Sequence, residues 1–72
     1  MKLHYHADTD SLYIDLVDRA SVVSQEVSAG VVLDFDADGR VVGIDIDHAS
    51  RNVELDRLVL RQMPGRVETD AA

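Results

Sequence analysis

Residues 30–47 read GVVLDFDADGRVVGIDID, and this stretch decides the fold. Two runs of alternating apolar and polar residues flank the pair Asp38-Gly39. An Asp-Gly pair between two such runs is a strong local signal for a β-hairpin. Gly39 allows the positive φ that the turn demands, because it carries no Cβ. We therefore predict a hairpin that folds back at this pair.

The alternation also predicts the register of the hairpin. Pairing Phe35 with Val42 across a two-residue loop gathers the apolar side chains on one face, because strand side chains alternate with a period of two. The gathered residues are Val31, Leu33, Phe35, Val42, Ile44 and Ile46. A three-residue loop would pair Phe35 with Val41 and split this set, so the pattern favours the two-residue loop.

The opposite face of the hairpin is acidic. Like charges close together cost stability, so we expect water, counter-ions, a cation or a basic partner to offset the repulsion. The second predicted strand adds a tyrosine and a further carboxylate to the same surface. The candidate residues for binding a partner or a cation are Tyr13, Asp15, Asp34, Asp36, Asp45 and Asp47.

Three more strands are predicted before the hairpin, over residues 2–6, 12–17 and 22–27. The connections between strands are short, so neighbours in sequence are expected to pair antiparallel. The fold class is then α+β and mostly β, an antiparallel meander of about five strands with a short C-terminal helical segment. One open sheet has no core, so its apolar face needs a cover.

The pattern changes after Asp47, and residues 48–52 indicate a turn or one helical turn. The segment Val53–Gln62 fits a helix, with an apolar stripe that includes Leu55 and Leu58, and it also fits a strand. We favour a short helix capped by Ser50 that packs on this sheet or on a partner's sheet. The predicted domain covers residues 1–65, and residues 66–72 are expected to form a flexible tail.

Length and composition narrow the classes of function. The 72 residues form one small domain with no cysteine, which suits the cytoplasm. No apolar run is long enough to span a membrane. The net charge of −7 argues against direct nucleic-acid binding and is compatible with a basic protein partner, although solubility alone is the favoured explanation of the charge. So small a sheet without covalent cross-links is expected to form a homodimer or a higher homo-oligomer.

The chain resembles the YuzE-like proteins, domain-of-unknown-function family 2283, over roughly residues 1–51. The residues that carry the resemblance are Tyr5, Asp10, Leu12-Tyr13-Ile14, Glu26-Val27, residues 30–36, Asp38-Gly39, residues 42–46 and Ala49-Ser50. This chain has His6-Ala7 where the family often has Asp-Pro, so its first turn is expected to differ. The resemblance implies no catalytic residue. It implies a link to antitoxin-like partners of small basic toxins that resemble ribonucleases.

Two patterns in the sequence are compatible with metal sites, and each has a simpler explanation. Asp34, Asp36 and Asp38 have the spacing that opens a calcium-binding EF loop, but the flanking segments are strands, which favours a plain hairpin. His4 and His6 share one strand face and would suit a transition metal. A solvated edge strand explains these two histidines without a metal, and we predict no metal site and no cofactor.

No enzyme is predicted, because the sequence lacks a cysteine nucleophile, a glycine-rich phosphate loop and a nucleophile elbow. The first hypothesis is a small acidic protein-binding module, an antitoxin-like partner of a basic toxin. Two alternatives stay open at this point. One is a self-assembling structural homo-oligomer without catalytic activity, and the other is a domain that binds divalent cations weakly.

Overall fold

The computed structural model describes residues 1–70 as one antiparallel sheet followed by a single helical turn. The elements are β1 (Lys2–His6), β2 (Ser11–Asp15), β3 (Val23–Ser28), β4 (Val31–Phe35), β5 (Val41–Ile46) and α1 (Ala49–Asn52). The five strands and the short C-terminal helix confirm the predicted, mostly β fold class. In residues 1–70, no helix has the length and apolar character needed to cross a membrane.

The strand order is β1-β2-β5-β4-β3, which differs from the predicted pairing at one connection. β2 does not pair with β3, because residues 16–22 carry the chain to the far edge of the sheet and β5 takes the place beside β2. This order sets Ile14 opposite Ile44 and Leu12 opposite Ile46. It gives β5 an apolar neighbour on both sides, and it leaves the fully exposed strands β1 and β3 at the edges.

The predicted hairpin is present, but the prediction of a two-residue loop was wrong. Asp36 and Arg40 close a three-residue loop, and Gly39 adopts φ 79° inside it. Phe35 therefore pairs with Val41, and a β-bulge next to this pair shifts the register by one residue. Such a loop, a turn followed by one left-handed residue, is a favoured hairpin connection. The bulge restores the predicted apolar pairs, Leu33 with Ile44 and Val31 with Ile46.

Beyond α1 the prediction of a helix over Val53–Gln62 was also wrong. Neither a helix nor a strand forms there, and Leu55 and Leu58 are exposed. The turn α1 begins after His48 in the left-handed region without a side-chain cap, so Ser50 is not the cap that was predicted. A ten-residue helix is marginal in water unless its apolar side packs against something, and this segment packs on no surface of the described chain.

The strand registers divide the side chains between two faces. The apolar face carries Leu3, Tyr5, Leu12, Ile14, Val31, Leu33, Phe35, Ile44 and Ile46. The acidic face carries Tyr13, Asp15, Asp34 and Asp45 on the opposite side. Within residues 1–70, the buried apolar side chains are Leu12, Val42 and Ala49, and no large side chain is fully buried. The described chain therefore has one layer of structure and a very thin core.

Candidate functional site

The centre of the acidic face is built around a glycine. Gly43 lies on β5 with Asp15 opposite it on β2 and Asp34 opposite it on β4. Because Gly43 has no side chain, the ring of Tyr13 occupies the space above it, and a Cβ at this position would overlap the tyrosine hydroxyl. The Tyr13 hydroxyl reaches across β5 and donates a hydrogen bond of 2.9 Å to Oδ2 of Asp34. Tyr13 of β2 thus lies over Gly43 of β5 and binds Asp34 of β4, so it links the three central strands.

Asp34 holds a second hydrogen bond on its outer side. The hydroxyl of Ser24 on β3 donates to Oδ1 of Asp34 over 2.6 Å. The two carboxylate oxygens therefore tie β3 and β2 to β4. The bond to Asp34, burial and the surrounding carboxylates raise the pKa of Tyr13 to about 12. The tyrosine therefore stays a protonated donor at neutral pH.

Asp45 is a carboxylate of this face whose pKa is raised by its surroundings. Partial burial raises its pKa, and the negative charges of Asp47 and Asp34 raise it further, while His6 acts weakly in the opposite direction. The ion pairs described within residues 1–70 are Arg19 with Asp36 and Arg66 with Glu68. In that part of the chain no arginine or lysine forms an ion pair with Asp34, Asp45 or Asp47, so the repulsion is not neutralised by either of these side-chain types.

Replacing Asp45 with asparagine is expected to stabilise the fold at pH 7 by a few tenths to about 1 kcal/mol, because it removes a repelled charge. The raised folded-state pKa means that ionised Asp45 is a penalty at neutral pH, and this penalty disappears as the pH falls through that pKa. The gain should therefore shrink in acid. Urea unfolding at pH 7 and near pH 4 measures both effects.

Asp8 provides the control for this measurement. It is an exposed carboxylate in the turn between β1 and β2, and D8N removes the same charge away from the acidic face. We expect D8N to leave the free energy of unfolding almost unchanged at either pH. A loss of stability in D45N at pH 7 would contradict the picture of an unneutralised carboxylate.

The structure separates the predicted site residues into three groups. Tyr13, Asp15, Asp34 and Asp45 lie on one face as predicted, and exposed Asp47 follows the end of β5 close enough to Asp45 to raise its pKa. Asp36 was wrongly assigned to this face, because its side chain is only 7% exposed. Its Oδ1 accepts the backbone N–H groups of Asp38 and Arg40 at 2.9 and 3.0 Å. Asp36 is thus a structural residue of the hairpin loop.

A second cluster was missed by the reasoning from sequence. Asp10, with φ 51°, accepts hydrogen bonds from the Tyr5 hydroxyl at 2.8 Å and from the Ser50 hydroxyl at 2.6 Å. The backbone N–H groups of Ala49 and Ser50 also donate to Asp10. The Ser50 hydroxyl, the Tyr5 hydroxyl and the Ser50 N–H lower the pKa of the Asp10 carboxyl. The bonds from Ala49 and Ser50 also fasten α1 to the first hairpin. Forty residues separate Asp10 from Ser50, so no local pattern reveals the contact; the resemblance alone had singled out both residues.

The described residues offer little to a metal ion. No group of three or more histidine, aspartate or glutamate side chains converges on one point in residues 1–70. The EF-loop spacing is not realised, because Asp34 bonds to Tyr13 and Ser24 while Asp36 bonds to its own loop. His4 and His6 lie on the exposed edge strand β1.

Comparison with known proteins gives one match. The model of a family described as "Protein of unknown function (DUF2283)" matches residues 2–50, more than half of the chain. No curated protein and no solved structure matches. The matched range contains both the acidic face and the cluster around Asp10. The match confirms the resemblance that the sequence motifs predicted.

Proposed function

The chain belongs to the DUF2283 family, and from this premise we propose that it is a protein-binding module whose acidic face engages a basic protein in the cytoplasm. One observation carries the proposal. Asp45 has a raised pKa beside Asp34 and Asp47, with no basic side chain of residues 1–70 in an ion pair with any of them. An arginine or lysine from a partner would remove that repulsion. In its more specific form, the module is an antitoxin-like protein that neutralises a basic toxin.

The distribution of charge supports this choice of partner. Residues 1–50 contain ten aspartate or glutamate residues and three lysine or arginine residues, whereas residues 51–72 contain four of each kind. The sheet region thus carries the whole net charge of −7. An excess of negative charge steers a partner of opposite sign and speeds the encounter.

The exposed edge of the sheet supplies a second means of contact. All six residues of β3 are exposed, and the strand has a neighbour on one side only. An extended partner segment can pair with such an edge through backbone hydrogen bonds. The edge carries Glu26 on the same side as the acidic face, next to Val32 of β4. A partner strand added here would lie within reach of the acidic side chains.

The test is a comparison of two charge-matched variants in the native host. Tagged wild-type chain is used to recover proteins at low salt, alongside D15N/D45N/D47N, which alters the acidic face. D8N/D18N/D38N removes three exposed carboxylates from loops and gives the same net charge. We expect wild type and the loop variant to recover the same basic protein, and the acidic-face variant to lose it.

Two results would overturn the proposal. One is recovery of no basic protein by wild type at low salt. The other is equal recovery by both triple variants, since binding would then depend on overall charge and not on the acidic face. In the expected case, recovery should fall steeply as salt is raised, because exposed charges are screened beyond about 10 Å at 0.1 M salt.

Self-association is a second candidate, and a separate observation favours it. The apolar face lies on the other side of the sheet from the carboxylates, and within residues 1–70 the main contacts between helix and strand elements are those of neighbouring strands. The two roles are compatible, because they use opposite faces.

A further inference from the structure

The apolar face is an uncharged surface without a second layer of structure. Nine large apolar or aromatic side chains lie on it, and none of its members is ionised at neutral pH. Leu3 and Tyr5 on the edge strand are 46% and 47% exposed. The strongest packing between elements is confined to neighbouring strands of the one sheet. Sheets of this kind are stable only when their apolar side is covered.

The chain exposes more surface than a compact monomer of its mass, in part because every residue from 54 to 70 is exposed. The chain has a mass of 7.9 kDa and an accessible surface of 5993 Å². A folded monomer of that mass exposes about 4,400 Å². The radius of gyration is 13.1 Å, against about 11 Å for a compact chain of this length. The excess of roughly 1,600 Å² is shared between this exposed segment and the sheet, and one partner in a standard interface buries about 800 Å².

We propose that the apolar face packs against the same face of a second copy, so that two sheets form a sandwich with both acidic faces outward. Sheets packed in this way lie about 10 Å apart with their inner side chains interdigitated. A two-fold axis through the middle of the face makes the contact self-complementary. The proposal goes beyond the binding of a basic protein, since it assigns the opposite face of the sheet.

Charge decides between the possible arrangements of two copies. Each chain carries a net charge of −7, so contact through the acidic faces would bring Asp34 and Asp45 of both copies together. Contact through the apolar face keeps Asp34 and Asp45 in water. The one carboxylate that the described chain bonds to a member of this face, Asp10, is already held by Tyr5 and Ser50. This contact also leaves the acidic face of each copy free for a basic partner.

The C-terminal segment is a poorer cover for its own sheet. Every residue from 54 to 70 is exposed, so most of the surface of this segment faces water. Residues 57–66 include Arg57, Arg61 and Arg66 and no carboxylate. Placing this segment across an uncharged face would bring guanidinium groups to a surface that offers them no partner. A second copy covers the face without that cost.

The oligomeric state of two lysine variants tests the proposal. Ile44 lies on the central strand β5 and points into the apolar face, whereas Val32 lies on the neighbouring strand β4 and points into the acidic face. Analytical ultracentrifugation of the full chain at 10–100 μM should give twice the 7.9 kDa mass for wild type and for V32K. The I44K variant should give the monomer mass. A monomeric wild type would overturn the proposal, and so would a dimer that V32K breaks and I44K leaves intact.

A cross-linking experiment keeps the test decisive if I44K fails to fold. The chain has no cysteine, so I44C and V32C each carry one thiol. A bismaleimide reagent with a span of about 10 Å, the spacing of packed sheets, should join two copies of I44C efficiently. It should join V32C at least tenfold less. Equal cross-linking of the two variants, or stronger cross-linking of V32C, would overturn the proposed interface.

Discussion

Replacing Gly43 with alanine is expected to lower the free energy of unfolding by about 1–3 kcal/mol, the usual cost of forcing extra atoms into a packed position. The new methyl group would occupy the space that the Tyr13 hydroxyl and ring now fill. Tyr13 would have to move off β5, and its hydrogen bond to Asp34 would be lost. Urea unfolding at one fixed protein concentration measures the effect, because oligomers gain apparent stability with concentration.

Gly65 provides the matched control, because a Cβ built there meets no atom within 4 Å. We expect G65A to leave stability unchanged or slightly raised. The double variant Y13A/G43A tests the cause, since removing the ring removes the collision. The alanine at position 43 should then cost much less than it does beside Tyr13. Neutral substitutions change the free energy of unfolding by roughly ±0.5 kcal/mol. A G43A variant within that range of wild type would contradict this packing of Tyr13 over Gly43.

The hairpin shows what alternation in a sequence predicts and what it misses. The alternation placed Leu33 opposite Ile44 and Val31 opposite Ile46, because burial fixes which side chains share a face. The predicted loop length was wrong, because a β-bulge adds one residue to β5. Asp34 and Phe35 are adjacent on β4, whereas their partners Gly43 and Val41 are two positions apart on β5. A bulge changes the local twist and leaves the apolar face intact, so the alternation of apolar and polar residues in the sequence does not reveal it.

Strand order is harder to predict than strand position. Leu12 and Ile14 of β2 would match the apolar side chains of any neighbouring strand, and the sequence pattern does not say which one. The structure sets them beside Ile46 and Ile44, thirty residues or more along the chain. The prediction of a helix over Val53–Gln62 was wrong for a related reason. Its side chains fit a helix and a strand, and only a surface to pack against can select one of them.

The site was predictable where it follows the period of a strand. Tyr13, Asp15, Asp34 and Asp45 lie together as expected, although their role in binding stays a prediction. The role of Gly43 was not predicted, because it depends on an aromatic ring from the next strand. The alternation that places Asp34 on the acidic face predicts the same position for Asp36. The Asp36 carboxylate instead accepts backbone N–H groups of the hairpin loop.

The two faces of the sheet favour different surroundings, and the two preferences are compatible. The unneutralised carboxylates favour outward exposure to water or to a basic partner, and the uncharged apolar face favours burial between copies. Each requirement supports the other, since a dimer formed through the apolar face presents two acidic faces on one particle. Such a particle could bind two basic partners, and bivalent contact strengthens binding when both sites are reached at once.

Replacing Asp36 with alanine is expected to lower the Tm by roughly 5–15 °C, because the hairpin loop would lose three hydrogen bonds at once. Oδ1 accepts the N–H groups of Asp38 and Arg40, and Oδ2 accepts Nη1 of Arg19 at 3.5 Å. Asp38 is the matched control. It lies in the same loop, its side chain is exposed, and D38A should shift the Tm only slightly. Circular dichroism melting of both variants at one concentration makes the comparison.

The pH dependence separates the charge of Asp36 from its geometry. The N–H group of Arg40 lowers the pKa of the Asp36 carboxyl most, and Asp38 and Arg19 lower it further, against the opposing effect of burial. The ionised form therefore stabilises the fold above the ordinary aspartate pKa of about 4, and this stabilisation is lost as the pH falls through the lower folded-state pKa. D36N keeps an acceptor oxygen and loses the charge. The Tm difference between wild type and D36N should consequently be largest near pH 5–7 and should shrink toward pH 2, whereas a constant difference would mean that shape alone, without charge, holds the loop.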